Sequence, residues 1–162
     1  MKLTFRKAQP EDFPFIFTLA DKIWRVHYPS IISMAQIDYM LGSMYSSESM
    51  RKQMQEGQEY NLAYDGSELL GYISVSSKDR KNYFLHKLYV DAGKHRRGLG
   101  KELFRYVFSK LQGVERIELT VNRKNIKAIN FYFKMGFYID RCEDFDIGQG
   151  FFMNDFIMIK KA

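Results

Sequence analysis

Residues 83–112 read YFLHKLYVDAGKHRRGLGKELFRYVFSKLQ, and the fold is decided there. The first eight alternate and are rich in aromatic and branched side chains, the signature of a strand. At the far end Leu99, Leu103, Val107, Phe108 and Leu111 recur at helical spacing, with Lys101, Glu102, Arg105 and Ser109 elsewhere around the turn. Between them lies a short loop holding Lys94, His95, Arg96 and Arg97, then Gly98 and Gly100 where the helix begins. The N–H groups of a first helical turn lack intrahelical partners and the dipole is positive there, so the junction suits a phosphate. Glycines let the backbone come close to such a ligand.

Two phosphate-binding patterns fail on this stretch. A Walker loop needs Gly, four residues, then Gly-Lys-Ser/Thr; Gly93 and Gly98 have the gap, but Leu99 and Gly100 follow. The dinucleotide fingerprint needs a third glycine three residues after Gly100, where Leu103 stands. After the helix, residues 114–121 alternate again, with Ile117, Leu119 and Val121 on one face. A strand, a helix and a strand make a crossover expected to be parallel and right-handed. Ligands of such sheets lie at the carboxyl ends of the strands, which is where the basic loop sits. Residues 122–125, Asn-Arg-Lys-Asn, then cap a helix over 126–135, ended by Gly136 as a left-handed cap.

The loop His95-Arg96-Arg97-Gly98-Leu99-Gly100 resembles the acetyl-CoA pyrophosphate loop of the GNAT N-acetyltransferase superfamily, Gln/Arg-x-x-Gly-x-Gly/Ala. It departs at the first position, where His95 stands. The segment 125–137, NIKAINFYFKMGF, resembles the same family's Asn-x-x-Ala-x-x-x-Tyr-x-x-x-Gly-Phe at every fixed position. The resemblance covers nearly the whole chain. It implies an α/β, single-domain GNAT fold with a mixed, mostly antiparallel sheet flanked by helices. It also implies acetyl-CoA as co-substrate and direct transfer of the acetyl group to a primary amine. Cofactor contacts are implied for the backbone of Leu88, Tyr89 and Val90 along the pantetheine arm, and for His95, Arg96, Arg97, Gly98, Leu99, Gly100 and Lys101 at the pyrophosphate. Asn125 and Ala128 follow at the next helix, where a plain helix cap is the other role open to Asn125. Tyr132 matches the family's general-acid tyrosine; a core aromatic is its alternative.

Upstream, residues 3–7 read as a strand. A helix starts near Pro10 with Glu11 and Asp12 matching its dipole, and Phe13, Ile16, Phe17, Ala20 and Trp24 form its stripe. Ser33-x-x-Gln36 is a capping-box signature for a second helix carrying Ile37, Met40, Leu41 and Met44. A third runs from about 47 to 56 and stops at Gly57. Residues 60–64 and 69–76 flank the turn Asp65-Gly66-Ser67 as a hairpin, and 137–145 with 151–160 close the chain as another. Trp24 and Tyr28, at a helix end beside a loop, stand where an acceptor pocket could be lined.

Composition bounds the rest. A chain of 162 residues is expected to form one domain and to bury roughly 70% of its unfolded surface. With 46% apolar residues, 14 Phe and 11 Tyr, it is globular with a bulky core. No apolar run approaches the roughly 20 residues of a membrane span, and the charged N-terminus has no signal-peptide block. Cytoplasmic location follows as the expectation. Cys142 alone excludes an internal disulfide framework, and no Cys/His cluster has metal-ligand spacing, so no metal is expected. The net charge is +6, and residues 78–105, with nine Lys/Arg and three Asp/Glu, carry the excess. That concentration fits an anionic ligand or nucleic acid. The motifs favour the small anionic ligand, with neither nucleic acid nor membrane as partner; a homodimer stays open.

An alkylamine near pKa 10.4 is only about one part in a thousand neutral at pH 7, so transfer to it needs a proton acceptor. His86 on the central strand titrates in the right range, but it alternates with Phe84 and Leu88, and a core histidine is the competing reading. Carboxylates of the last quarter are rivals: between Phe137 and Asp155 stand Asp140, Glu143, Asp144, Asp146 and Asp155 against Arg141 alone. Asp144 and Asp146 would hold ammonium groups of a cationic acceptor. The texts IWRVHYPSIIS and EDFDIGQGFFMNDFIM resemble, more loosely, bacterial spermine/spermidine acetyltransferases, which points to a polyamine. A peptide or protein N-terminal acetyltransferase, a non-catalytic acetyl-CoA-binding module and a nucleic-acid-binding module are the alternatives.

Overall fold

The computed structural model describes residues 2–94 and 98–162. In chain order the elements are β1 (Leu3–Lys7), a 3-10 turn (Pro10–Asp12), α1 (Phe13–His27), a second 3-10 turn (Tyr28–Ser30), α2 (Met34–Tyr45), α3 (Ser47–Gln55), β2 (Glu59–Asp65), β3 (Glu68–Ser77), β4 (Asn82–Val90), α4 (Leu99–Phe108), β5 (Arg116–Asn122), α5 (Ile126–Lys134), β6 (Tyr138–Gly148) and β7 (Phe151–Lys161). The seven strands form one sheet in the order β1-β2-β3-β4-β5-β7-β6. Only β4 and β5, joined through α4, pair in parallel; every other pair is antiparallel. The closing hairpin therefore folds its second strand inward against β5 and leaves β6 at the edge.

Side-chain chemistry sets the helix ends. Ser33 accepts from the Gln36 N–H at 3.1 Å and starts α2, but the Gln36 side chain does not return to complete a capping box. It donates instead to the Phe152 carbonyl at 2.7 Å and ties α2 to β7. Ser46 caps α3 in the same way, and Gly57, at φ +102°, ends that segment. The buried stripe of α1 is Phe13, Ile16, Leu19, Ala20 and Trp24; Phe17 lies exposed at its margin, because the stripe is rotated toward Leu19. Phe104 joins Leu99, Leu103 and Val107 on the buried face of α4, which ends at Phe108 and leaves Leu111 beyond it.

Helices cover both faces of the sheet, so there are two cores. Under α4 and α5, Leu85, Leu103, Ile117, Leu119, Ile129 and Met158 pack together. Under α1 to α3, Trp24, Ile37, Tyr45, Met50, Tyr60 and Tyr72 do so. A side chain as buried as Leu103 contributes roughly 1.5–3 kcal/mol. One irregularity decides which residues face which core. The register of β3 and β4 runs Ser74↔Lys87 and then Val75↔Leu85, so His86 is an extra residue in β4. Such a bulge puts two successive residues on one side of the sheet. The expected alternation of Phe84, His86 and Leu88 is thus broken: Leu88 packs with the α4/α5 core, while Lys87 and Tyr89 turn to the other. No helix among the described residues is long and apolar enough to cross a membrane.

Candidate active site

The parallel pair at the middle of the sheet is short. Asn82, Tyr83 and Phe84 pair with Arg116, Ile117 and Glu118, and the pairing goes no further. At this end Glu118 is clamped by Lys78 at 2.9 Å and Arg116 at 3.1 Å. Past Phe84 the strands part, and the edge of β4 that faces β5 has no strand partner from 85 to 90 among the described residues. A bulge increases local twist, which suits the parting of the strands just beyond His86.

Two cavities meet at this opening. The larger, about 620 Å³, runs from the turn after β4 (Asp91, Gly93, Lys94) past Gly100 to α5. The smaller, about 110 Å³, lies toward α1 and α2 and reaches β5 and β7. They share five residues: Leu88, Tyr89, Asn125, Ala128 and Tyr132. All five are among those singled out in the sequence. Val90 and Gly100 line the larger cavity as well. Gly98 precedes α4 at φ +93°, a conformation that favours glycine. Leu99 is wholly buried in the α4/α5 core, and Lys101 is exposed outside both cavities. His95, Arg96 and Arg97 lie outside the described residues. The turn beside them is braced by Asp91, which accepts from the Gly93 N–H at 3.0 Å and from Lys22 at 2.6 Å.

Asn125 is a helix cap here. Its side-chain oxygen accepts from the Ala128 N–H at 3.3 Å and lies 3.0 Å from His27 Nε2. Trp24 and Tyr28 both line the smaller cavity. The Tyr28 and Tyr89 hydroxyls are 2.8 Å apart, and the Trp24 ring stands 4.7 Å from Tyr28 and 5.8 Å from Tyr89. Burial raises the Tyr28 phenol to about 12. Tyr132 reaches the junction from α5, its ring braced by Phe131 and Phe137 at 5.2 and 5.4 Å. Burial holds its phenol well above the ordinary value, so it keeps its proton at neutral pH and has one to give.

His86 does not have the surroundings of a strong base. Its Nε2 lies 2.6 Å from Ser76 Oγ. Burial, aided by Lys87 and Lys78, pushes its pKa down to about 4, so the ring is neutral at pH 7. His86 does line the smaller cavity, whereas Asp144 and Asp146 are brought to neither. They sit on β6, whose outward position keeps them exposed. Asp144 pairs with Arg123 at 2.7 Å, and Asp146 accepts from the Gly148 N–H at 2.9 Å.

Two charged residues line the smaller cavity: Asp155, one of the five carboxylates weighed as rivals to His86, and Lys87, which the sequence did not single out. Asp155 is 3% exposed and stands opposite Asn122 on β5. Burial raises its carboxyl to about 6, against the opposing pull of Thr120 and Arg123. Lys87 donates to Gln53 at 2.7 Å and Tyr60 at 2.5 Å, with its ammonium 4.9 Å from the Tyr60 ring centre. Burial brings it down to about 7. A signal for each existed: both are charges inside apolar strands, Lys87 between Leu85 and Tyr89, Asp155 just before Ile157-Met158-Ile159. The orphan of this wall is Trp24 Nε1, a buried donor without a partner among the described residues. Among those residues, no three His, Cys, Asp or Glu side chains gather to hold a metal ion.

Comparison with known proteins agrees with this geometry. A family model described as an acetyltransferase (GNAT) domain matches residues 32–147. An uncharacterized N-acetyltransferase of Mycobacterium bovis is 33% identical over 100 residues, which is 60% of this chain and 63% of that protein. The peptidyl-lysine N-acetyltransferase YiaC of Escherichia coli is 37% identical over 78 residues, 48% of this chain and 49% of its own. The chain thus spans less than two thirds of the length of these relatives. Among solved structures, PaiA N-acetyltransferase from Thermoplasma acidophilum, crystallised with coenzyme A, superposes with a TM-score of 0.83 over 100% of both chains at 26% identity.

Proposed function

The chain belongs to the GNAT acetyltransferase family, and from that membership we propose that it moves the acetyl group of acetyl-CoA directly to a primary amine. The observation that carries this reading is the meeting of two cavities at an opening in the sheet, with Tyr132 in the wall of both. The residues fit a bound acetyl-CoA. The free edge of β4 offers the N–H and C=O groups of Leu88 and Val90 to an extended amide-bearing arm, while those of Tyr89 between them turn to β3 and its ring stays at the junction. The ten-residue α4 points its N-terminus, behind Gly98, toward the end of the larger cavity where phosphates would lie. Bound there, acetyl-CoA supplies an activated thioester carbonyl.

Tyr132 donates its phenolic proton to the departing sulfur in this proposal, since burial keeps that proton in place. Leu88, Ala128 and the ring of Tyr89 exclude water around the reacting carbon. Asn125 fixes the start of α5 and so the position of Tyr132 two turns later. The acceptor enters from the smaller cavity, between Trp24 and Tyr28. A polyamine would have to use carboxylates of β6 that face solvent beyond this cavity. A peptide acceptor is a second reading: near Ile32, Gln36 and Asn122 the smaller cavity adjoins another of about 230 Å³, with room for chain beyond the reacting amine. The test is thiol release from acetyl-CoA with a panel of amines and peptides, beside calorimetry with coenzyme A. Amine-dependent release is expected. Absence of coenzyme A binding, or no release with any amine, defeats the reading.

A further inference from the structure

We propose that Asp155 receives the ammonium group of the acceptor and takes its proton, and that the acceptor is a primary amine on a slender apolar stem. This rests on the acetyl-transfer reading and names the acceptor side of the same site. Asp155 is the one carboxylate among the described residues that line the smaller cavity. No cationic side chain among the described residues pairs with it: Arg123 donates to its backbone carbonyl at 3.2 Å and gives its ion pair to Asp144. A buried carboxylate without a counter-charge is costly, and a site with that vacancy of charge suits a cation.

The remaining wall sets the shape of that cation. Trp24, Tyr28, Ile32, Met40, Met44 and Met153 make its α1/α2 side apolar or nearly so, and the further polar members Gln36, Thr120, Asn122 and Asn125 carry no charge. A second ammonium on the same ligand would find no second carboxylate there and would meet Lys87. One charge on an apolar stem is what the lining accommodates.

The wall also adjusts the proton transfer. A free alkylammonium titrates near 10.4, far above any carboxyl. Lys87 shows what this surrounding does to such a group, since burial holds it at about 7. Asp155 is lifted toward it, to about 6. Donor and acceptor thus approach one another on entering the cavity. The other groups facing Asp155 do not compete. His86 is neutral, the Tyr28, Tyr89 and Tyr132 phenols stay protonated, and Arg123 and Asp144 neutralise each other outside. Glu143, the register partner on β6, is exposed.

The step balances. Asp155 takes one proton from the ammonium; the freed lone pair forms the C–N bond as the C–S bond breaks. Tyr132 gives its proton to sulfur and regains one from the new amide nitrogen. The proton on Asp155 leaves to solvent, so one is released per turnover.

The experiment compares hexylamine, spermidine and a lysine-containing peptide as acceptors, with wild type, Asp155→Asn and Asp155→Glu. Hexylamine or the peptide is expected to exceed spermidine at least tenfold in kcat/KM. A peptide preference assigns the stem to a lysine side chain; a hexylamine preference assigns it to a free amine. Wild-type kcat should rise with pH through about 6, and the Asn variant should lose that limb and about 10²–10⁴ in kcat. Its coenzyme A affinity should stay within about twofold, with the Glu variant partly restoring turnover. Spermidine preferred tenfold, or an Asn variant with wild-type kcat and pH limb, overturns the proposal while leaving acetyl transfer intact. Should the Asn variant not fold, the wild-type ranking and pH limb decide alone. Thiol release absent with every amine would overturn both.

Discussion

Leu85 and Lys87 stand two residues apart on β4 yet face opposite sides of the sheet, because His86 is the extra residue of a bulge between them. Without it Lys87 would point into the α4/α5 core. With it, the ammonium lies among Gln53, Tyr60 and Tyr45, in neutral company.

That placement predicts a stability that depends on pH above neutrality. Unfolded, Lys87 titrates near 10.5; folded, near 7. Between these values the unfolded chain binds the proton and the folded one does not, so stability rises with pH from about 7 to 10. Compared with Lys87→Met by urea unfolding at several pH values, wild type should gain on the order of 3 kcal/mol across that window. A constant difference between the two proteins would mean that Lys87 stays charged inside.

Asp155 carries the opposite sign. Its folded pKa near 6 lies above the ordinary 3.8, so the folded protein binds the extra proton and stability falls as pH rises from about 4 to 6. Asp155→Asn should therefore be more stable than wild type at pH 7.5, by on the order of 2 kcal/mol, with the gap closing below pH 4. Thermal melts at pH 4 and 7.5 read this directly. A variant less stable at both would show that the carboxylate is satisfied where it is.

Tyr132→Phe keeps the ring between Phe131 and Phe137 and removes the hydroxyl at the junction of the cavities. Its melting temperature should be near that of wild type, and turnover in the thiol-release assay should fall by about 10²–10⁴. Full turnover would reduce Tyr132 to packing.

Gly71 faces the far end of β4. A Cβ there would come within 2.8 Å of the Tyr89 carbonyl oxygen and 2.9 Å of Val90 Cγ1, so the strand end would have to shift. Gly71→Ala should cost about 1–3 kcal/mol of stability and, by moving the edge that lines the larger cavity, weaken coenzyme A binding about tenfold. Calorimetry giving unchanged affinity would free that edge from any role in binding.

Much of this was legible in the residues because it rests on local signals. The strand–loop–helix at 83–112, the Asn125 cap and Gly136 announce themselves through periodicity and turn chemistry; of the five residues at the cavity junction, Asn125, Ala128 and Tyr132 came from one short motif, and Leu88 and Tyr89 from the family resemblance. What the sequence hides is register. His86 reads as one more alternating position, and only pairing with β3 makes it a bulge. The acidic residues 140–146 look like a lobe in one dimension, but they fall on an edge strand, and β7 beside it turns Asp155 inward. Charges set among apolar strand residues were the neglected clue.

Mechanically, the sheet is two plates joined by a weld three residues long. One plate is β1 to β4, the other β5, β7 and β6, and among the described residues no ladder crosses the seam beyond Phe84 and Glu118. A ligand arm seated along the free edge of β4 would bridge the plates where the chain itself does not. Under the proposed function the co-substrate is therefore also a structural part, holding together two halves of the sheet that the chain joins over only three residues.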